Sequence, residues 1–362
     1  MKKHYFWASV FFYAVAVFYL AATTPISPHE AKTLYLNDTI VSLLMRWGQG
    51  ISDTFLGLRL FFLFAGFLSI ALFYQMSKKA FSKPEDTYFV TFIFMLLPGI
   101  LTGTTLANIA IIVLPVVLLF VLMHEKGYFW ILLPLMLILF FIHEASIIFF
   151  IAVLLYAIAY NEKRLAIVSS AFVLVCIYLA KGIVIGGRPS GHFLEIFGLY
   201  ATLFSPFVFL YFFYALYRIL LKGKKTLLWY ISFTALVFSL LLSIRQKIHI
   251  TDFAPYVMIA VPLMVSVLNQ SMRVRLPQFQ KPYKRGAHFV IFTLILSAMV
   301  ILTHKISYYQ SGMHERHFAK RIYAPYDKVQ ELKAEGIECY DMQGRSEWYQ
   351  FQYYNMPLCN KQ

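Results

Sequence analysis

Two apolar runs, residues 88–123 and 128–160, limit what this chain can fold into. As single helices they would be about 54 Å and about 50 Å long at 1.5 Å per residue. A bilayer core of about 30 Å takes only about 20 residues. Basic segments flank both runs, so each must cross twice as a pair of short helices. The first turn is expected between Pro98-Gly99 and Asn108. The second is expected at His143-Glu144, where Glu144 is the only acidic residue of its run. Backbone groups in lipid must be satisfied internally, and period-2 alternation is absent, so the runs are read as helices.

The rest of the chain agrees. It is 60% hydrophobic and only 14% charged, against about 25% charged in soluble domains. Further spans are expected at about 5–22, 58–76, 165–184, 198–219, 226–244, 253–270 and 288–303. The sequence therefore predicts an all-α polytopic membrane protein of about 11 helices. Residues 1–303 form the membrane domain, with an external loop at 23–56 that carries an amphipathic helix near Thr39–Trp47. Residues 304–362 form a small C-terminal extracytoplasmic α/β segment, helical over 326–335 and strand-like at 337–340.

The net charge of +15 invites a nucleic-acid reading, which its distribution excludes. Seventeen Lys and Arg residues, from Lys2-Lys3 to Lys284-Arg285, fall in one set of loops; five (Lys32, Arg46, Arg188, Arg245 and Lys247) fall in the other. Basic residues concentrate on the cytoplasmic side. The N-terminus is thus expected in the cytoplasm, and an odd number of spans puts the C-terminus outside, which in a bacterium is the periplasmic face of the inner membrane. Cys339 and Cys359 then lie in an oxidising compartment, where a disulfide is expected.

Ionisable residues that the basic loops do not explain converge on the outer face: His29, Glu30, Lys32, Arg59, His143, Glu144, Arg188 and His192 among them. Charges at membrane depth are costly and mark cavities or substrate paths. Glu30 suits either a helix-start carboxylate or a general base. Arg59 suits either snorkelling to the interface or phosphate binding, with Lys32 and Arg188 as further phosphate candidates. His143-Glu144 suits either a structural pair or a ligand-orienting one. His29, Glu30, His143 and Glu144 are of types that hold a divalent metal, but their spacing matches no specific metal motif.

The stretch His29-Glu30-Ala31-Lys32-Thr33-Leu34-Tyr35, with Arg59-Leu60-Phe61-Phe62 at the start of the second span, resembles the GT-C membrane glycosyltransferases. It is most similar to the branch holding lipid A aminoarabinose transferase and the protein O-mannosyltransferases. The resemblance implies a polyprenyl-phosphate-linked sugar donor and a glycan, lipid or protein acceptor at the outer face. It also implies catalysis by Glu30 with His29, and substrate binding by Lys32, Tyr35, Arg59 and Asn108; the outer-face residues His143, Glu144, Arg188 and His192 are further substrate-binding candidates. His29 stands where the family has the leading acid of an acidic pair, and Asn108 where it has a second acid. A lipid-linked-saccharide flippase and a non-catalytic subunit of an envelope-glycan assembly complex are the alternatives.

The topology is open to a direct check. Alkaline phosphatase fused after Gln362 is expected to be active and a fusion after Lys225 inactive; the opposite pair of activities would invert the orientation.

Overall fold

A computed structural model describes residues 1–36, 39–179, 191–310, 316–340 and 347–359. Among them the chain is helical, with a single isolated β-bridge and no strand. In chain order the helices are α1 (Lys3–Thr23), α2 (Pro28–Leu36), α3 (Ile40–Ile51), α4 (Phe55–Ala80), α5 (Pro84–Leu96), α6 (Pro98–Thr105) and α7 (Ile109–Glu125). There follow α8 (Phe129–Ile142), α9 (Ile147–Ala159), α10 (Lys163–Tyr178), α11 (Phe193–Phe204), α12 (Pro206–Lys222) and α13 (Leu227–Arg245). The last are α14 (Ala254–Met258), α15 (Val261–Val274), α16 (Pro277–Leu302), α17 (His304–Gln310), α18 (Lys320–Ala334) and α19 (Trp348–Tyr353).

Five helical segments are long and apolar enough to cross a membrane, or up to seven if each of two bent pairs is one span. Shorter apolar helices lie at Ile109–Glu125, Phe129–Ile142 and Glu144–Ala159. The protein is thus a polytopic helical membrane protein. Both overlong runs break near the expected places. The second breaks at His143, which is extended (φ −128°, ψ 117°) between α8 and a short 3₁₀ turn at Glu144–Ser146. The first breaks at Leu97, not across the whole of 98–108. Pro98 disfavours a helical Leu97, so α5 and α6 meet at 61°. Residues Pro98–Thr105, expected as a turn, form a helix.

The structure divides into two compact units. Unit 1 comprises Met1–Phe12, Ala65–Leu101 and Ile109–Ala298; unit 2 comprises Tyr13–Phe64, Thr102–Asn108 and Met299–Gln362.

In unit 1, α9 is the central helix and packs against both α10 and α13. Aromatic contacts fill the interior: Phe73 and Phe94 stack with centroids 3.8 Å apart, and Phe120 meets Phe149 edge-on at 4.9 Å. The span expected over 198–219 is broken into α11 and α12, which meet at 106°. The hinge is Ser205, at φ 75° and followed by Pro206. A non-glycine residue in that region is strained by about 1–3 kcal/mol, so surrounding packing must enforce the bend.

In unit 2, α3 is amphipathic as expected and buries Val41, Met45 and Gly48 along one face. A Cβ on Gly48 would lie 2.1 Å from the carbonyl oxygen of Gly57, so only glycine lets these backbones approach so closely. The tail differs from its expected α/β character. Gln350–Tyr353 belongs to helix α19, and the strand expected at Ile337–Tyr340 is reduced to one bridge between Tyr340 and Leu358. Cys339 and Cys359 are joined by a disulfide, 20 residues apart in sequence. Tail and first loop touch through Phe55, whose ring centroid lies 6.1–6.3 Å from those of Tyr326, Tyr353 and Tyr354.

Cys339 and Cys359 are expected to resist a maleimide reagent in unreduced, detergent-unfolded protein and to label after reduction. Label on both without reductant would show them free. Cys176, buried in α10, is expected to label in unfolded protein under either condition.

Candidate functional site

Ser27 and Glu30 start helix α2 with a reciprocal capping box. The Glu30 backbone N–H donates to Ser27 Oγ (3.2 Å), and the Ser27 N–H donates to Glu30 Oε2 (2.9 Å). This is the Ser-x-x-Glu pattern, with Pro28 at the first helical position where its missing N–H costs nothing.

The same carboxylate meets Arg59, one turn into α4. Arg59 Nε donates to Glu30 Oε1 and Nη2 to Oε2, both at 2.8 Å, a bidentate pair. Arg59 Nη1 also donates to the carbonyls of Ala21 (3.1 Å) and Thr24 (2.7 Å), and Nη2 to that of Pro25 (3.0 Å). All five N–H donors of the guanidinium are engaged. On the other side, the Ala107 N–H donates to Glu30 Oε1 at 2.8 Å, giving the carboxylate four hydrogen bonds. Arg59 is 0% and Glu30 1% exposed. The pair ties together the end of α1, the loop 24–27, the starts of α2 and α4, and the connection after α6.

Burial pushes the Glu30 carboxyl up. The Arg59 charge and the hydrogen bonds from Arg59, Ala107 and Ser27 outweigh it and hold the carboxyl below the usual carboxylate range.

Comparisons with known proteins bear on this arrangement. No protein-family model matches the sequence, and no curated protein matches it. Among solved structures, the chain is similar to ArnT from Cupriavidus metallidurans in the apo state. The two share 13% identity over 92% of this chain and 73% of that chain, with a TM-score of 0.58. ArnT is lipid A aminoarabinose transferase. The chain shares the fold of that structure.

Within this shared fold the residues singled out from sequence fall into three groups. Glu30 and Arg59 are brought together but differ in occupation from the sequence expectation. Arg59 has no donor left for a phosphate, and Glu30 has no acceptor site left for a substrate proton. Both are positioning residues in this conformation, because neither touches open space. His29, Lys32 and Tyr35 form the exposed side of α2. The Tyr35 ring stacks on that of Tyr349 in the tail, with centroids 6.4 Å apart. Asn108 is half-buried and follows Ala107, whose N–H the carboxylate holds.

The third group lies in unit 1. His143 is buried, and its Nδ1 lies 2.8 Å from the Tyr256 hydroxyl. Its Nε2 is buried without a hydrogen-bond partner, 3.7 Å from Asp252 Oδ1. Glu144, next in sequence, is exposed. His192 Nδ1 lies 2.9 Å from Glu195 Oε2, and Lys247 Nζ 3.1 Å from Glu195 Oε1. Arg188 lies outside the described residues. Among the described residues no group of three or more His, Cys, Asp or Glu side chains is placed to hold a metal ion.

Sequence reasoning missed Ser27, Ala107 and the saturation of Arg59. The capping box was readable from Ser27-Pro28-His29-Glu30. The 29-residue separation of Glu30 and Arg59 gave no such signal.

Removing one partner of a buried ion pair costs about 3–5 kcal/mol, because the other charge is left uncompensated. Arg59→Met is therefore expected to lower the melting temperature sharply in a detergent-solubilised thermal scan, and Arg59→Met/Glu30→Leu to recover much of the loss. The pH dependence has a definite sign. The Glu30 carboxyl has a lower pKa folded than the ordinary 4.5. Its contribution is complete above that value and is lost as pH falls through the folded pKa. The acid limb of the stability profile is expected to flatten in Glu30→Gln; an unchanged limb would show the pair to be electrostatically idle.

Proposed function

We propose that this protein is a membrane glycosyltransferase of GT-C type. It moves a sugar from a polyprenyl-phosphate donor to a glycan, lipid or protein acceptor at the outer face of the bacterial inner membrane. The observation that carries the reading is the fold shared with the ArnT structure over 92% of the chain. The external segment 23–36 supports it, because the clamp fixes an otherwise polar loop in one shape beside exposed ionisable groups.

In this reading the chemistry falls to the exposed side of α2. His29 and Lys32 are three residues apart and share one helix face. An imidazole nitrogen of His29 takes the proton of the acceptor hydroxyl. The acceptor oxygen bonds to the anomeric carbon, whose bond to the phosphate oxygen breaks with inversion. The phosphate leaves with the electron pair, and Lys32 offsets its charge. Such a base contributes about 10²–10⁴-fold. Tyr35 and Asn108 flank the reacting groups, and Glu30 with Arg59 hold α2 in place. His143, Glu144 and His192, all in unit 1, are candidate substrate-binding groups in their own right.

A specific observation favours a second reading, a non-catalytic subunit in envelope-glycan assembly. The one carboxylate in family-like context is consumed by Arg59, and His29 and Asn108 stand at the family's acidic positions.

Mass spectrometry of lipid extracts separates the two. Cells lacking the protein are expected to lose a glycosylated lipid or glycan and regain it with the wild-type chain. His29→Ala is expected to reduce that product at least about 10²-fold with unchanged protein level. Full product from His29→Ala and Lys32→Ala would remove the catalytic reading and leave the assembly one.

A further inference from the structure

Helix α16 is sparsely packed: of its 26 residues only Leu294 and Ala298 are buried. Phe289 and Phe292 are more than half exposed. Between α16 and helices α5, α12 and α15 lies a cavity of about 630 Å³, walled by Phe89, Ile93, Phe207, Met264, Val290 and their neighbours. A Cβ built on Gly286, which lines it, would meet no atom within 4 Å. This volume is of the size of small-molecule sites, about 300–1,000 Å³.

A second cavity of about 470 Å³ adjoins it and has a different chemistry. Arg275 lines both. The guanidinium of Arg275 lies over the Tyr283 ring, 4.1 Å from its centroid, and the Tyr283 hydroxyl is 3.1 Å from that of Tyr211. Arg218, bonded to Ser271 Oγ, and Lys222 complete the basic lining. No carboxylate is among the lining residues of either cavity.

We propose that this paired cavity is a binding site for an anionic phospholipid of the bilayer. Its hydrocarbon chains occupy the apolar cavity against α16, and its phosphate headgroup lies among Arg218, Lys222 and Arg275. The charge complementarity decides the occupant. A free anion would leave the large apolar cavity empty, and a zwitterionic lipid would bring a fourth cation beside Arg218, Lys222 and Arg275. Basic pockets between membrane helices on the cytoplasmic side hold anionic headgroups in this manner. The leaflet rests on the orientation proposed above; the binding itself does not. The lipid fills the space that keeps α16 from packing directly on its neighbours.

The test uses the full chain, purified and delipidated in detergent, and native mass spectrometry with added dioleoyl phosphatidylglycerol or dioleoyl phosphatidylcholine. Phosphatidylglycerol is expected to be retained and to raise the melting temperature; phosphatidylcholine is not. Lys222 and Arg275 are exposed, so Lys222→Gln/Arg275→Gln removes the contact of Arg275 with the Tyr283 ring and no buried side chain. That variant is expected to weaken retention about 30-fold, at roughly fivefold per cation near the surface. Ala287→Phe fills the apolar cavity and is expected to abolish retention. Equal retention of the two lipids, or retention unchanged in both variants, would overturn the proposal. So would displacement by millimolar inorganic phosphate, which would make the site one for free anions. None of these readouts depends on transferase activity.

Discussion

The bidentate pair of Glu30 and Arg59 is the constraint on which unit 2 depends. An arginine at the start of an apolar helix must either reach water or be matched donor for donor inside the protein. Here it is matched: two bonds go to the carboxylate and three to carbonyls of Ala21, Thr24 and Pro25. The end of α1 and the loop after it are thereby pinned to α4. The carboxylate is in turn pinned to the Ser27 and Ala107 N–H groups. A buried ion pair is weak evidence of net stability. A fully satisfied one specifies geometry, because seven hydrogen bonds hold these segments together at once.

The tail attaches to the same loop from its free side. Ile26, between Pro25 and Ser27, donates its N–H to the Tyr354 hydroxyl (3.2 Å) and accepts at its carbonyl from Gln350 Nε2 (2.8 Å). Burial pushes the Tyr354 hydroxyl well above its ordinary range, so it stays a neutral donor and acceptor. One tripeptide therefore meets the arginine and the carboxylate through its outer residues and the tail through its middle one. A change of conformation at 25–27 would have to break both sets of bonds together.

Much of the fold was legible because lipid imposes arithmetic on it. Runs of 36 and 33 apolar residues cannot cross once, and Pro98 and His143 were visible as the places to break. The paired cysteines were legible from compartment and count. The bend at Ser205 was not, because Ser205-Pro206 sits in a stretch whose apolar content fits one straight span; only the positive φ at Ser205 shows the break. The tail misled at 337–340. Strand formation depends on cross-strand neighbours, and here Tyr340 makes one bridge, to Leu358, while its ring stacks on Phe351 of α19. The site was half legible. The residue types at 29–35 and 59 marked the segments that the structure brings together. Their division of labour was hidden, since a sequence shows that a carboxylate and a guanidinium exist and not that they exhaust each other.

The two units are held by different physics. Helices in lipid gain little from the hydrophobic effect on meeting one another, so close packing and hydrogen bonds must hold them. Unit 1 follows this rule, with stacked and edge-on aromatic rings and short bonds such as Ser232 Oγ to the Tyr256 carbonyl at 2.7 Å. Where packing fails, at α16, the gap must hold lipid or lose contacts. The tail of unit 2 faces the opposite problem. A polar segment of some 60 residues has too little core to fold by burial alone. It relies on the disulfide between Cys339 and Cys359 and on the loop that the Glu30–Arg59 pair has already fixed. The clamp thus supplies what the tail lacks, a rigid surface to fold against, and it leaves the exposed side of α2, with His29 and Lys32, held still without being covered.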